Sequence, residues 1–212
     1  RAIAAMGFGT DVELVAENLA TPRAVRAVAE CDLVFGCMDG VEGRHLLNRL
    51  CVYYIIPYLD VGVRLQADGK GGVDEACGAV HYLRPDGSTL LDRRVYTADE
   101  LRAAGLQRTD PHAYRAELRA GYIRGVHEDR PAVISINMQM ASTAVNEFLA
   151  RIHPYRYDDN SDFALTRTSF VQRTDYCEAE PEPSGMFFSN IGKADVAPLL
   201  SMPGLSENVP IG

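Results

Sequence analysis

Asp39 is the residue whose position is best suited to chemistry, because it follows a short apolar run at residues 32–37. A carboxylate at the end of a buried strand can hold a magnesium ion that bridges the phosphates of a nucleotide. The same carboxylate can instead cap a helix beginning near Val41, with Glu42 completing a capping box. Spacing alone favours the cap, and the two roles are compatible.

Two polar residues of that helix could act beside Asp39. Arg44 lies early in the helix, and Asn48 lies about one turn further along. Both side chains can face a crevice at the end of the strand, or both can be solvated surface groups. The residues taken alone favour the surface for each.

The elements that must position these residues alternate between strand and helix over the first third of the chain. Residues 12–16 alternate in strand fashion, and Thr21 with Pro22 begins a helix that ends near Glu30. A strand buried on both faces, an amphipathic helix and another strand follow at residues 32–37, 41–54 and 55–63. This order predicts right-handed crossovers and a parallel sheet covered by helices on both faces.

The pattern changes beyond these elements. We expect a loop at residues 66–78, a strand at 79–83 and a turn at 85–87. An amphipathic helix is predicted from Asp110-Pro111 to about Val126, and a deeply packed apolar helix from Pro131 to about Ile152. Charges, prolines, serines and glycines dominate from Tyr155 onward, which predicts an irregular extension held by docking. The predicted division is a domain at residues 1–154 and an extension at 155–212.

A set of short motifs occurs in a fixed order along the chain. They are an apolar strand ending in Cys-x-Asp, an arginine and an asparagine after that aspartate, an Ile-Pro strand ending in glycine, and a Gly-x-Val strand ending before proline, at Cys37, Asp39, Arg44, Asn48, Ile56-Pro57, Gly62, Gly78, Val80 and Pro85. This combination resembles the ThiF/MoeB-type adenylating enzymes, the bacterial relatives of ubiquitin-activating enzymes. The resemblance covers roughly residues 1–153.

The resemblance implies a Rossmann-like α/β fold with a mixed or parallel sheet, helices on both faces and an incomplete N-terminus. It also implies ATP- and magnesium-dependent adenylation of a carboxyl group, usually the C-terminal glycine of a ubiquitin-like or sulfur-carrier protein. Carried over by position, Asp39 is the magnesium and phosphate aspartate, and Arg44 and Asn48 are the helix positions near the nucleotide. Family members are commonly homodimers, so a homodimer is expected.

The chain also departs from the family pattern. The family's glycine-rich loop, Asp-x-Asp motif, Asn/Arg pair and catalytic lysine all precede the position of Arg1, so this chain alone is not expected to make an adenylate. Residues 1–6 followed by Gly7 read as the end of a helix, which predicts further residues upstream of Arg1. The glycine-rich stretch at residues 69–72 lacks the Walker spacing and is expected to be a flexible loop.

The cysteines match neither the zinc site nor the covalent nucleophile of some members. The position after the Pro-x-Gly turn holds no cysteine, and only Cys177 lies near the end of the chain, so zinc is not expected. Cys77 is the candidate that looks exposed, but neighbouring carboxylates should raise its pKa. Core thiols are expected at Cys31, Cys37 and Cys51.

Composition excludes several other classes. A net charge of -8 argues against nucleic-acid binding, which requires basic stripes. No polybasic patch, membrane-length apolar run or signal peptide is visible, so no membrane association is expected. Five cysteines at irregular spacing indicate a reducing compartment, and therefore a cytoplasmic protein.

Two other functions stay open at this stage. The chain can be a non-catalytic member, either a pseudoenzyme or a partner subunit, that binds a ubiquitin-like protein or dimerises. The absent zinc cysteines and nucleophile favour this interpretation modestly. A Rossmann-type oxidoreductase would need an NAD fingerprint, which the sequence lacks.

Overall fold

The computed structural model describes residues 2–70, 72–120 and 133–206. These form a five-stranded mixed sheet of order β1-β2-β3-β4-β5. The strands are β1 (Val34–Gly36), β2 (Tyr58–Ala67), β3 (Val73–Leu83), β4 (Leu165–Ser169) and β5 (Thr174–Glu178). β1 and β2 are parallel, whereas every later pair is antiparallel. The α/β class is confirmed, but the expected parallel pairing is limited to β1 and β2 in this part of the chain.

The helices of the described residues are mostly short. They are α1 (Ala2–Ala5), α2 (Pro22–Ala29), α3 (Val41–Tyr54), α4 (Ala98–Thr109), α5 (Pro111–Arg119) and α6 (Ile134–Ile152). Single 3-10 turns lie at Asn160–Phe163, Phe188–Asn190, Leu199–Ser201 and Pro203–Leu205. Across the described ranges, no helix is long and apolar enough to cross a membrane.

Side-chain caps fix where several helices begin. The Thr21 hydroxyl accepts a hydrogen bond from the backbone N–H of Ala24, as predicted for α2. Asp110 caps α5 as predicted, although the expected continuation from residue 121 to Val126 lies outside the described residues. α4 was not predicted, yet Thr97 and Glu100 form a reciprocal capping box at its start.

Helices cover both faces of the sheet, as expected. Alternate side chains of β2 point to opposite faces. Leu59 packs with Val80 and with Met140 of α6 on one face. Tyr58 packs with Leu47 of α3 on the other face. The side of the sheet covered by α3 therefore carries Tyr58 and the alternate residues Asp60 and Gly62 of β2.

The predicted strand at residues 12–16 is wrong. The backbone there has no strand conformation, and Leu14 is 84% exposed. An alternating pattern becomes a strand only when a neighbouring strand supplies hydrogen bonds and a surface that buries its apolar side chains. Within the described ranges, β1 has β2 as its partner and does not pair with this segment.

The predicted long loop at residues 66–78 is also wrong for most of its length. β2 continues to Ala67 and β3 begins at Val73, so the two strands form an extended hairpin. The Asp68 carboxylate accepts hydrogen bonds from the backbone N–H groups of Lys70 (2.7 Å) and Gly72 (2.8 Å). Side-chain closure of this kind substitutes for a backbone turn and allows the strands to extend.

The long apolar helix was expected to be deeply packed, but only one of its faces is buried. α6 begins at Ile134, and residues 131–132 lie outside the described residues. Met140 and Ala144 are buried against the sheet, but Ile134 and Met138 are 76% and 64% exposed. The reason is geometric, because a helix on one face of a sheet buries one stripe.

The part of the chain beyond residue 154 is more regular than predicted. β4 and β5 form a hairpin that adds to β3, so an irregular extension is wrong for residues 165–178. Residues further along dock onto α3, where Phe187 and Leu200 join a cluster with Leu50 and Tyr53. Whether a domain ends at residue 154 stays a prediction.

Candidate functional site

Asp39 lies at the carboxyl edge of β1, exposed and just before α3. The predicted cap is wrong: Gly40 occupies the N-cap position, and α3 has no side-chain cap hydrogen bond. Glu42 does not complete a capping box either, because it accepts a hydrogen bond from Arg108 of α4 at 3.0 Å. The magnesium role of Asp39 therefore remains a prediction that does not compete with a capping role.

Arg44 points from α3 back towards the edge of the sheet. Its Nε donates to the backbone carbonyl of Met38 at 2.9 Å and lies 3.5 Å from Oδ1 of Asp60. A Cβ at position 62 would lie 2.6 Å from Nη2 of Arg44, so the glycine there allows the guanidinium to lie against β2. The surface interpretation of Arg44 is wrong, because its side chain is largely buried between these groups.

Asn48 is buried and holds a neighbouring loop. Its Oδ1 accepts a hydrogen bond from the backbone N–H of Leu90 at 2.7 Å. The surface interpretation of Asn48 is therefore wrong as well. Its contact fixes the start of the segment that carries Arg93 and Arg94, and its role as a nucleotide contact stays a prediction.

Asp60 was not predicted as a site residue, yet it is a carboxylate only 1% exposed in the middle of the sheet. The Tyr58 hydroxyl donates to its Oδ1 at 2.6 Å. Its other oxygen, Oδ2, is buried without a hydrogen-bond partner among the described residues. Burial raises the pKa of Asp60, and the Arg44 guanidinium and the Tyr58 hydrogen bond oppose that rise. A carboxylate inside an apolar strand was the sequence signal for this position.

His81 lies directly opposite Asp60 in the antiparallel register of β2 and β3. It is 4% exposed, and its Nδ1 has no hydrogen-bond partner in the described part of the chain. Burial, followed by the nearby charges of Arg93, Arg44 and Arg167, lowers the pKa of His81 from 6.5 to about 3. The imidazole is therefore neutral at physiological pH.

These groups line a cavity of about 210 Å³ on the α3 side of the sheet, here called the arginine cavity. Gly62 and Ala79 face each other across β2 and β3, and the Arg44 guanidinium lies against Gly62. Five arginines from four segments line the cavity, namely Arg44, Arg64, Arg93, Arg94 and Arg167. This concentration of positive charge contrasts with the net charge of -8 of the whole chain.

Some of these arginines are engaged by the protein and others are not. Arg93 is buried and donates to the Ser88 hydroxyl, the Ala164 carbonyl and the Glu180 carboxylate, at distances of 2.8–3.1 Å. Burial lowers the pKa of Arg93, and the Glu180 carboxylate opposes that effect. Arg94 and Arg167 are exposed, and neither side chain makes a hydrogen bond or ion pair within the described ranges. These two guanidinium groups remain available to a ligand.

The cysteines differ from two of the expectations. Cys51 is buried as predicted, whereas Cys31 and Cys37 are exposed, so the expectation of core thiols is wrong for those two. Burial, and then the hydrogen bond to Glu75, raises the pKa of Cys77 in the predicted direction. Over the described residues, no group of three or more His, Cys, Asp or Glu side chains could hold a metal ion.

The mixed sheet with helices on both faces defines a Rossmann-like α/β protein. The model of the ThiF family matches residues 1–183, so the chain belongs to the ThiF family.

Solved structures of MccB share the fold at low sequence identity. E. coli MccB with MccA-N7isoASN matches at 12% identity and a TM-score of 0.51, over 80% of this chain and 44% of that one. E. coli MccB with AMPCPP and SeMet MccA matches at 12% identity and a TM-score of 0.50, over 80% and 43%. The microcin C7 biosynthetic enzyme MccB with N-formylated MccA matches at 12% identity and a TM-score of 0.50, over 82% and 44%. This chain thus spans less than half the length of those proteins, and no curated protein matches it significantly.

Proposed function

We propose that the protein of which this chain is part adenylates a carboxyl group at the expense of ATP. The observation that carries the proposal is the arrangement at the end of β1, where the Asp39 carboxylate and the Arg44 guanidinium follow a strand of a ThiF-family sheet. In open α/β sheets, ligands bind at the carboxyl ends of the strands. MccB, which shares the fold, is described in complex with AMPCPP and MccA, which supports a nucleotide and a peptide-like acceptor for this chain too.

The proposed reaction is an in-line displacement at the α-phosphorus of ATP. An oxygen of the acceptor carboxylate forms a bond to that phosphorus, and the bond from the same phosphorus to the bridging oxygen of pyrophosphate breaks. The products are an acyl-adenylate and pyrophosphate. Arg44 would contribute a fixed positive charge near the phosphates, since Met38 and Asp60 hold its Nε in place.

Magnesium fits this site only as a partner of the nucleotide. Magnesium commonly uses one or two carboxylates together with phosphate oxygens and water, and Asp39 supplies one carboxylate. When bound, the ion would neutralise part of the triphosphate charge. Asp39 would hold the ion, and Arg44 and Asn48 are the predicted positions near the nucleotide.

A ubiquitin-like or sulfur-carrier protein remains the proposed acceptor. A short peptide with a free carboxyl group is the alternative acceptor. A homodimer also remains a prediction. The family membership supports these proposals.

ATP–pyrophosphate exchange tests the proposed function. We expect the protein of which this chain is part to catalyse exchange that depends on magnesium and on a carboxylate acceptor, assayed with ubiquitin-like, sulfur-carrier and peptide acceptors. Asp39→Asn should lower the exchange rate by about 100-fold, as expected for the loss of one preorganised electrostatic contact. Asp32→Asn, at another exposed aspartate near β1, is the matched control and should leave the rate unchanged. Equal rates for Asp39→Asn and the unmodified protein would contradict the role of Asp39.

A further inference from the structure

The arginine cavity contains polar groups that the proposed nucleotide site at the end of β1 does not use. Neither Asp39 nor Asn48 lines it. Its depth holds two buried polar atoms without partners among the described residues, Oδ2 of Asp60 and Nδ1 of His81. Its rim holds the guanidinium groups of Arg94 and Arg167, which have no hydrogen bond or ion pair there.

Buried polar atoms without partners are costly, so they indicate where a ligand supplies the missing hydrogen bonds. Oδ2 of a carboxylate such as Asp60 requires a donor, for which a peptide or side-chain amide N–H is suitable. The two free guanidinium groups require an anion, and a carboxylate matches their planar donors. The ligand must therefore carry both an N–H donor and a carboxylate.

A phosphate monoester satisfies only half of this requirement. At neutral pH it is largely a dianion whose oxygens are acceptors, so it would meet the buried Asp60 carboxylate without offering it a donor. Inorganic phosphate keeps a P–OH donor, and the binding experiment below distinguishes it from a peptide. A peptide segment offers backbone N–H groups next to its acidic side chains.

We propose that the arginine cavity binds an acidic peptide segment, with a Glu or Asp side chain on Arg94 and Arg167 and an amide N–H on Oδ2 of Asp60. This rests on the proposed function in one respect, since the segment would belong to the acceptor whose carboxyl group is activated. It narrows the acceptor to one with acidic residues near the reacting end. Arg44 links the two regions, because it lines the cavity and also bonds to the carbonyl of Met38, next to Asp39.

Direct binding without ATP tests this proposal separately from catalysis. The probe is a fluorescein-labelled, C-terminally amidated Gly-Glu-Gly-Glu-Gly peptide, and its Gly-Gln-Gly-Gln-Gly counterpart is the neutral control. In fluorescence anisotropy, we expect the acidic peptide to bind at least about tenfold more tightly than the neutral peptide. The reason is that each charge-assisted hydrogen bond lowers the dissociation constant by about tenfold. Arg94→Gln and Arg167→Gln should each weaken its binding by about tenfold.

Arg119→Gln, at an exposed arginine of α5, is the matched control and should leave the affinity unchanged. Circular dichroism of each variant verifies that it is folded. Equal binding of the acidic and neutral peptides, or unchanged affinity in both cavity variants, would overturn the proposal. Displacement of the acidic peptide by millimolar inorganic phosphate, with phosphate binding lost in Arg167→Gln, would overturn it in favour of a phosphate site. Pyrophosphate exchange plays no part in these readouts, so failure of the proposed function would show separately.

Discussion

Replacing Asn48 with alanine should destabilise the protein by an amount that the structure allows us to work out. Asn48 is 1% exposed, and its Oδ1 is the acceptor for the buried N–H of Leu90. Leaving such a donor unsatisfied costs about 1–3 kcal/mol. The void left by the shorter side chain adds roughly 0.5–1 kcal/mol. We therefore expect the free energy of unfolding to fall by about 1.5–4 kcal/mol.

Urea unfolding followed by circular dichroism and by tyrosine fluorescence measures this loss, since the chain has 10 tyrosines and no tryptophan. For a protein of this size the same loss should lower Tm by roughly 3–16 °C. Asn146→Ala is the matched control, because Asn146 is an exposed asparagine in the middle of α6. We expect that control to stay within about 0.5 kcal/mol of the unmodified protein.

A loss below about 0.5 kcal/mol for Asn48→Ala would contradict the assigned role of Asn48, because the N–H of Leu90 would then have found another acceptor. The same variant also tests the predicted nucleotide contact. If Asn48 only positions the loop, ATP should raise the Tm of the variant by about as much as it raises that of the unmodified protein. A direct contact predicts a smaller rise in the variant.

Two further predictions concern buried charges around the arginine cavity. His81 binds a proton in the unfolded chain near pH 6.5 but in the folded protein only near pH 3, so stability should fall as the pH drops through this window, by about 2 kcal/mol at pH 5. His81→Gln should make the free energy of unfolding less dependent on pH between pH 8 and pH 5, as measured by urea unfolding at each pH. His112→Gln, at an exposed histidine of α5, is the matched control and should leave that dependence unchanged. An unchanged pH dependence in His81→Gln would count against the buried neutral imidazole. Glu180→Gln should lower the free energy of unfolding by about 1–3 kcal/mol, because it removes the negative charge that compensates buried Arg93. The loss is limited because the amide oxygen of the new glutamine can still accept one hydrogen bond. Glu117→Gln breaks an exposed pair and should cost under about 1 kcal/mol, and equal losses in the two variants would contradict the assigned burial.

The sequence allowed prediction of the edge that carries Asp39, because its signals are local. An apolar run followed by an acidic residue and a helix start places a carboxylate at the end of a strand. Its distance along α3 left Arg44 either in the crevice or at the surface and favoured the surface, which is wrong. The error over capping by Asp39 arose because Gly40 can occupy the cap without any side-chain hydrogen bond.

The arginine cavity could not be predicted, because its residues meet only through long-range pairing. Asp60 and His81 become neighbours through the register of β2 and β3, and a hairpin that reads as a glycine-rich loop conceals that register. Arg167 arrives from β4, which lies in the stretch expected to be irregular. The acidic residue within the apolar run at residues 55–63 was the one local signal of this cavity.

The exposed stripe of α6 shows a second limit of sequence patterns. Apolar residues on several faces of a helix predict burial all round, but the described part of the chain covers one face only, through Met140 and Ala144. Hydrophobicity identifies residues that can be buried, whereas the number of packed neighbours decides which of them are buried.

The central claim, that a carboxyl oxygen attacks the α-phosphorus of ATP, is tested most directly by oxygen transfer. The protein of which this chain is part is incubated with ATP, magnesium and an acceptor that carries ¹⁸O in its carboxyl groups. Hydroxylamine is added to trap the activated carboxyl group, and the AMP is analysed by mass spectrometry. Attack of hydroxylamine on the carbonyl carbon of an acyl-adenylate leaves one carboxyl oxygen on the phosphorus, so the account predicts AMP that carries one ¹⁸O atom together with unlabelled pyrophosphate. AMP without ¹⁸O, or ADP and phosphate as the products, would contradict it.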